Sequence, residues 1–139
     1  MLPPDTGSRT ARVTAAASEP AVSPQPAARR PTRIVTEPVR SGQQIYAADT
    51  DLVVLNTVSA GAEVAADGCV HVYGALRGRA MAGARGEASA RVFCRRFEAE
   101  LVAVAGVYAV AEQMQGELRG KPAQVALVDG KLKIERLDW

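Results

Sequence analysis

Histidine is almost missing from this chain of 139 residues: His71 stands alone. That excludes a metal centre built from several imidazoles and a His-x-x-x-His zinc motif. Cysteine is nearly as scarce, and Cys69 and Cys94 lie too far apart for a CxxC pair. Two lone thiols fit a reducing cytoplasm better than a disulfide framework. Aromatic residues make up only 4% of the chain, which suits thin layers with little room per side chain. The longest uncharged apolar stretch, Leu101–Ala111, falls well short of the roughly 20 residues a membrane span needs. Met1-Leu2-Pro3-Pro4 lacks the basic start and apolar run of a secretion signal. The expectation is a soluble, cytoplasmic chain. No Gly-x-x-x-x-Gly-Lys-Ser/Thr loop and no Gly-x-Ser-x-Gly elbow occurs. A net charge of +2 with a pI near 8.7 is too mild to argue for nucleic acid. Asp49/Asp51 and Glu98/Glu100 read as solvated strand faces, and no metal or cofactor site assembles. The chain is not expected to be an enzyme.

What is present is Ala, Val and Gly, in a repeating order. The stretch Asp51–Ala84 nearly matches its own continuation when shifted by about 18 residues. Leu52 then falls on Val70, Val54 on Val72, Val58 on Leu76, Ala62 on Ala80, Val64 on Ala82 and Gly68 on Gly86. Most of these positions are two apart, the period of a strand. One such short unit cannot bury its apolar side, so copies must stack. The expectation is all-β, a three-sided parallel solenoid. Its turns run through Gln44–Tyr46, Leu52–Leu55, Ala62–Ala65, Val70–Tyr73, Arg79–Ala82 and Ala90–Cys94. Between Gly86 and Phe97 the period slips by two or three residues, read as a longer corner. Glu98–Val110 is read as strand, because β-branched residues and Gly106 speak against a helix. Ala111–Arg119 is read as loop or a short helical turn. Ala123–Val128 and Lys131–Leu137 around Asp129-Gly130 predict a final hairpin or last turn. Residues 1–38, rich in Pro and Ala, predict a disordered linker, and 39–139 the folded domain. A linker in that position suggests the C-terminal part of a larger protein.

If Leu52 and Val54 point inward, Val53 and Leu55 point outward, near His71 and Tyr73 of the next turn. An exposed apolar row needs a cover. A second copy of the same face is the expected one, giving a two-fold homodimer; a terminal segment of the same chain is the alternative. His71 reads as a structural or interface residue rather than a lone general base. Arg95 and Arg96 flank Cys94, yet a buried strand-end thiol is the better reading. Two basic clusters remain. Arg40-Ser41-Gly42-Gln43 suits docking to a polar surface, although composition alone favours an ordinary turn. Arg77-Gly78-Arg79 could hold a carboxylate-bearing peptide or be a solvated corner.

Val39-Arg40-Ser41-Gly42-Gln43, Ile45-Tyr46-Ala47, Val58–Glu63, Ala66-Asp67-Gly68, His71–Gly74, Leu76–Ala80 and Glu100-Leu101-Val102 occur in fixed order. In this the chain resembles the family of MinC C-terminal domains, from bacterial septum-site-determining proteins, over about Val39 to Leu137. The resemblance implies a right-handed parallel β-helix that dimerises and docks on the membrane-associated ATPase MinD. It implies a division inhibitor that helps keep FtsZ from assembling a septum away from mid-cell. The family's MinD-docking motif matches Arg40, Ser41, Gly42 and Gln43, and its arginine for the acidic FtsZ tail matches Arg79. Location would be cytoplasmic, with recruitment to the inner membrane face through MinD alone. Cys69 departs from the family's frequent Asn. The family's N-terminal domain is not seen, and residues 1–38 resemble its variable interdomain linker. Dimerisation, MinD docking and tail binding are the functions expected of this chain. Two rivals remain: a hexapeptide-repeat acyltransferase, favoured by the partial hexad Leu52, Val58, Val64, Val70, Leu76, Ala82, and a self-polymerising β-helix scaffold.

Overall fold

Alternating apolar residues broken by small ones form strands throughout, and the described residues contain no helix. The computed structural model describes residues 30–110 and 116–138. Four rungs wind as a β-solenoid, each giving one strand to each of two sheets. The first sheet stacks β1 (Arg33–Val35), β3 (Leu52–Val54), β5 (Val70–Leu76) and β7 (Val92–Phe97) in parallel. The second stacks β2 (Gln44–Ala47), β4 (Glu63–Ala66), β6 (Arg79–Ala82) and β8 (Leu101–Val104). A thin third side is closed by single pairs: Val39 with Val58, Val58 with Leu76, and Leu76 with Phe97.

The strand period decides which side chains meet inside, because alternate residues face the axis. Leu52 and Val54 lie under Val70 and Val72, which lie under Val92 and Cys94. Val64 lies under Ala80, and Ala80 under Val102. Val39, Val58, Leu76 and Phe97 fill the space from the third side, and all these side chains are at most 1% exposed. Three converging walls leave little room per layer, which explains the wealth of Val and Ala around the few larger side chains, Phe97, Leu52 and Leu76. Each buried Val or Leu contributes about 1.5–3 kcal/mol.

Both sheets end by reversing direction. β9 (Val107–Val110) folds back antiparallel on β8, and β10 (Ala123–Val128) returns antiparallel to β7, followed by β11 (Lys131–Arg136). Ala123 and Val125 seal the top of the core. The two hairpin turns have positive φ at both central residues, Ala105-Gly106 and Asp129-Gly130, the geometry that matches the twist of paired strands.

Several expectations change. Arg33–Val35 is a strand paired in parallel with β3, so ordered structure begins inside the stretch assigned to the linker. Residues 1–29 of that stretch, and 111–115 of the expected loop, lie outside the described residues. The 18-residue shift holds for Leu52, Val54 and Val58 but not for the second sheet, where Val64 sits on Ala80 rather than Ala82. The corner Leu76–Arg79 is two residues shorter than Val58–Glu63, and Gly78 permits it. A Cβ on Gly78 would lie 2.3 Å from the Ala62 carbonyl oxygen and 2.6 Å from that of Ser59. For the same reason Gly68 accepts a hydrogen bond from Gly83, not Gly86. The later slip is four residues, since Leu52 to Val70 takes 18 and Val70 to Val92 takes 22. Glu98–Val110 is not one strand but the β8–β9 hairpin.

Candidate binding surfaces

The corner between Val39 and β2 is a tight turn held by the rung above it. Val39 anchors it, donating to Thr57 O at 2.9 Å and accepting from Ser59 N–H at 2.8 Å. Gln43 N–H donates to Arg40 O at 2.9 Å, and Arg40 N–H donates to Gln43 Oε1 at 2.6 Å. Gly42 N–H donates to Gly61 O at 3.0 Å. Gly42 has φ +86 with open space around it, so glycine is needed here for conformation and not for room. The next rung repeats the turn: Ala62 N–H donates to Ser59 O, and Gly61 has φ +83. That copy carries Ser59 and Ala62 in place of Arg40 and Gln43.

Charge distinguishes the corners. Arg77 Nε meets Glu98 Oε1 at 2.8 Å, and Gly61 N–H donates to Glu100 Oε1 at 3.2 Å. Arg40, exposed, pairs with no carboxylate among the described residues. Arg79 opens β6 on the outer face of the second sheet, half-exposed and loosely paired with Glu63 at 3.7 Å. Gln44, Glu63 and Arg79 are register partners in successive rungs. Arg79 therefore stands two rungs, about 10 Å, above the strand that follows Gln43. The sequence-predicted motif and Arg79 share one edge of the molecule.

The other surface is the outer face of the first sheet. Ile34, Val53, His71 and Phe93 form one row of register partners, with Leu55 and Tyr73 beside it. Ile34 is 60% exposed, Leu55 48% and Tyr73 43%. His71 stacks on Phe93 with ring centroids 4.9 Å apart, and lies 6.4 Å from Tyr73. Burial pulls the His71 pKa down, against a weaker upward pull from Asp51. The four residues expected on this face do lie together, and Ile34 and Phe93 lengthen the strip. Phe93 was hidden by the miscounted slip, and Ile34 by its place in a Pro-rich stretch. Cys94 is buried in the core, where desolvation pushes its thiol up to about 12. Among the described residues no three His, Cys, Asp or Glu side chains are placed to hold a metal ion.

These features define a β-solenoid domain whose polar and apolar groups of interest stand on its outer edges. The chain belongs to the family described as septum formation inhibitor MinC, C-terminal domain, which its residues 33–137 match. It is 60% identical over 106 residues to a probable septum site-determining protein MinC of Xylella fastidiosa, covering 76% of this chain and 44% of that protein. A namesake in Photobacterium profundum is 54% identical over 107 residues, covering 77% of this chain and 49% of that one. The chain thus matches just under half the length of these relatives. Among solved structures, a chain of the MinC:MinD cell division protein complex of Aquifex aeolicus superposes with a TM-score of 0.71 and 29% identity. The superposition covers 79% of this chain and 89% of that one.

Proposed function

We propose that this chain is the solenoid part of a division inhibitor, a binding module rather than an enzyme. It docks on MinD through Arg40, Ser41, Gly42 and Gln43, pairs with a second copy, and holds the acidic tail of FtsZ at Arg79. Septum assembly away from mid-cell is thereby opposed. Cytoplasmic location with recruitment to the inner membrane face through MinD belongs to the same proposal; no helix among the described residues is long and apolar enough to cross a membrane.

The observation that carries it is the Arg40–Gln43 corner. A glycine with positive φ lifts the turn out, and Arg40 is the guanidinium there that meets no carboxylate among the described residues. A planar fork held ready in this way suits a carboxylate or backbone carbonyls on a partner. The similarity to a chain from a MinC:MinD complex supports MinD as that partner. For the dimer, the support is the apolar strip from Ile34 to Phe93, a patch of the kind that self-association covers. Unequal rungs of 19, 18 and 22 residues argue against the acyltransferase reading, which needs an unbroken hexad. Titration with MinD and ATP tests docking. Arg40→Ala should weaken affinity about 10- to 100-fold, the worth of a charge-assisted bond. Ser59→Ala, at the equivalent corner one rung up, should leave it within about twofold. Equal behaviour of the two variants would refute the assignment.

A further inference from the structure

Of the four register partners in the strip, Ile34, Val53, His71 and Phe93, His71 is the one that can carry charge. It is half-buried, stacked on Phe93 at 4.9 Å between ring centroids and inclined at 41° to Tyr73. Its ring makes no hydrogen bond among the described residues, so it packs there as an aromatic. The charged and titratable groups nearby stand around the strip. Asp51 precedes β3, Cys69 and Tyr73 flank His71 on its own strand, and Arg91 and Arg95 lie on the β7 side. Asp51 Oδ1 accepts from Cys69 N–H at 2.7 Å, and Arg91 donates to Gln124 Oε1 at 3.2 Å. Asp51 favours the protonated imidazole, and burial outweighs it.

A second copy is the occupant this face fits. The border carries both signs, Asp51 and Arg91, whereas a partner of one strong sign would find no matching charge inside the strip. A two-fold axis midway between β3 and β5 sets Val53 against His71 of the second copy, Ile34 against Phe93 and Leu55 against Tyr73, each twice. Apolar then meets apolar along the whole row, and Asp51 falls on Cys69 of the second copy, so no like charges oppose each other there. An axis along β5 would instead leave Ile34, 60% exposed, over Gln124. With the axis between β3 and β5, each His71 is closed between Phe93 of its own chain and Val53 of the other copy. The two imidazoles are displaced by one strand spacing, about 5 Å. Neutral rings suit that setting. Two imidazolium ions would lose their water and repel each other.

We propose that the strip is a pH-gated dimer face, closed while His71 is neutral and opened when the two His71 rings take up protons. The gate rests on the self-association proposed above and adds its control. Opening separates the two docking edges and ends any avidity between them. Sedimentation equilibrium of the full chain from about pH 7.5 to 5.5 tests this, with circular dichroism confirming the fold at each pH. The dimer dissociation constant should rise about 10- to 100-fold over that range, because two protons are taken up per dimer. His71→Phe should remain dimeric, its constant steady within about threefold, since the ring still packs and no longer titrates. A parent that is monomeric at pH 7.5 and high concentration would remove the self-association and the gate with it. A parent dimer equally tight at both ends of the range, or a response that persists in His71→Phe, would overturn the gate and leave the dimer standing.

Discussion

Arg40 and Gly78 show how differently two corners, two rungs apart on the same side, are used. Arg40 makes no ion pair among the described residues, so Arg40→Ala should leave stability within about 0.5 kcal/mol, read from a urea midpoint, while MinD affinity falls. Gly78 has the opposite profile. Its missing Cβ makes way for two carbonyl oxygens of the rung below, so Gly78→Ala should cost about 1–3 kcal/mol, the range for overpacking. An unchanged urea midpoint for Gly78→Ala would show that the corner can move. The two thiols differ in the same way. Cys94 is buried and pushed up to about 12, and Cys69 is half-buried. Iodoacetamide at about pH 8, near the ordinary thiol range, should modify one thiol in the native protein and two in urea; two in the native state would contradict the packing around Cys94.

At the scale of elements, the β8–β9 hairpin is the device that stops the second sheet. Its turn forces Ala105 to φ 51, a region that costs an L-residue roughly 1–2 kcal/mol. Ala105→Gly should therefore raise the melting temperature despite glycine's greater freedom in the unfolded chain. A lower melting temperature would show that the Ala105 methyl packs more than it strains. Strand β5 carries the pH response. Burial lowers the His71 pKa below its ordinary 6.5, with Asp51 opposing. The unfolded chain then binds the proton more readily, so stability is full above about 6.5 and declines as pH falls below it. His71→Phe should remove that part of the decline, measured as urea midpoints from about pH 7.5 to 5. Elements of this kind were largely legible in the sequence. The 18-residue match of Leu52 and Val54, two apart, with Val70 and Val72 declared strands and even their register. Register in the second sheet was not legible, because it hangs on Gly78 tolerating a close approach, and a glycine in a sequence does not say how near its neighbours come. β1 was missed because only three residues among prolines form it, and pairing with β3 rather than local propensity makes it a strand.

At the scale of the whole molecule, the edge proposed for docking and the apolar strip lie on different faces, so the proposed docking and self-association should be separable by mutation. Tyr73→Glu, placed in the strip and far from the core, should shift the chain toward monomer in sedimentation velocity with its fold intact. A parent that sediments as monomer at high concentration would remove the dimer. The site itself was legible only through resemblance. Composition cannot tell a docking Arg from a solvated one, and the contrast of Arg40 with the carboxylate-bound Arg77 exists only once Glu98 is brought 21 residues back along the chain. The proposed docking site, the Arg40–Gln43 corner, is expected to recruit this chain to MinD. Its most direct test is co-sedimentation with MinD on liposomes in ATP and in ADP, for the parent, Arg40→Ala and Gly42→Asp. Recruitment is expected in ATP alone and is expected to be lost in both variants. Recruitment that survives both substitutions, or none for a folded parent chain, would contradict it.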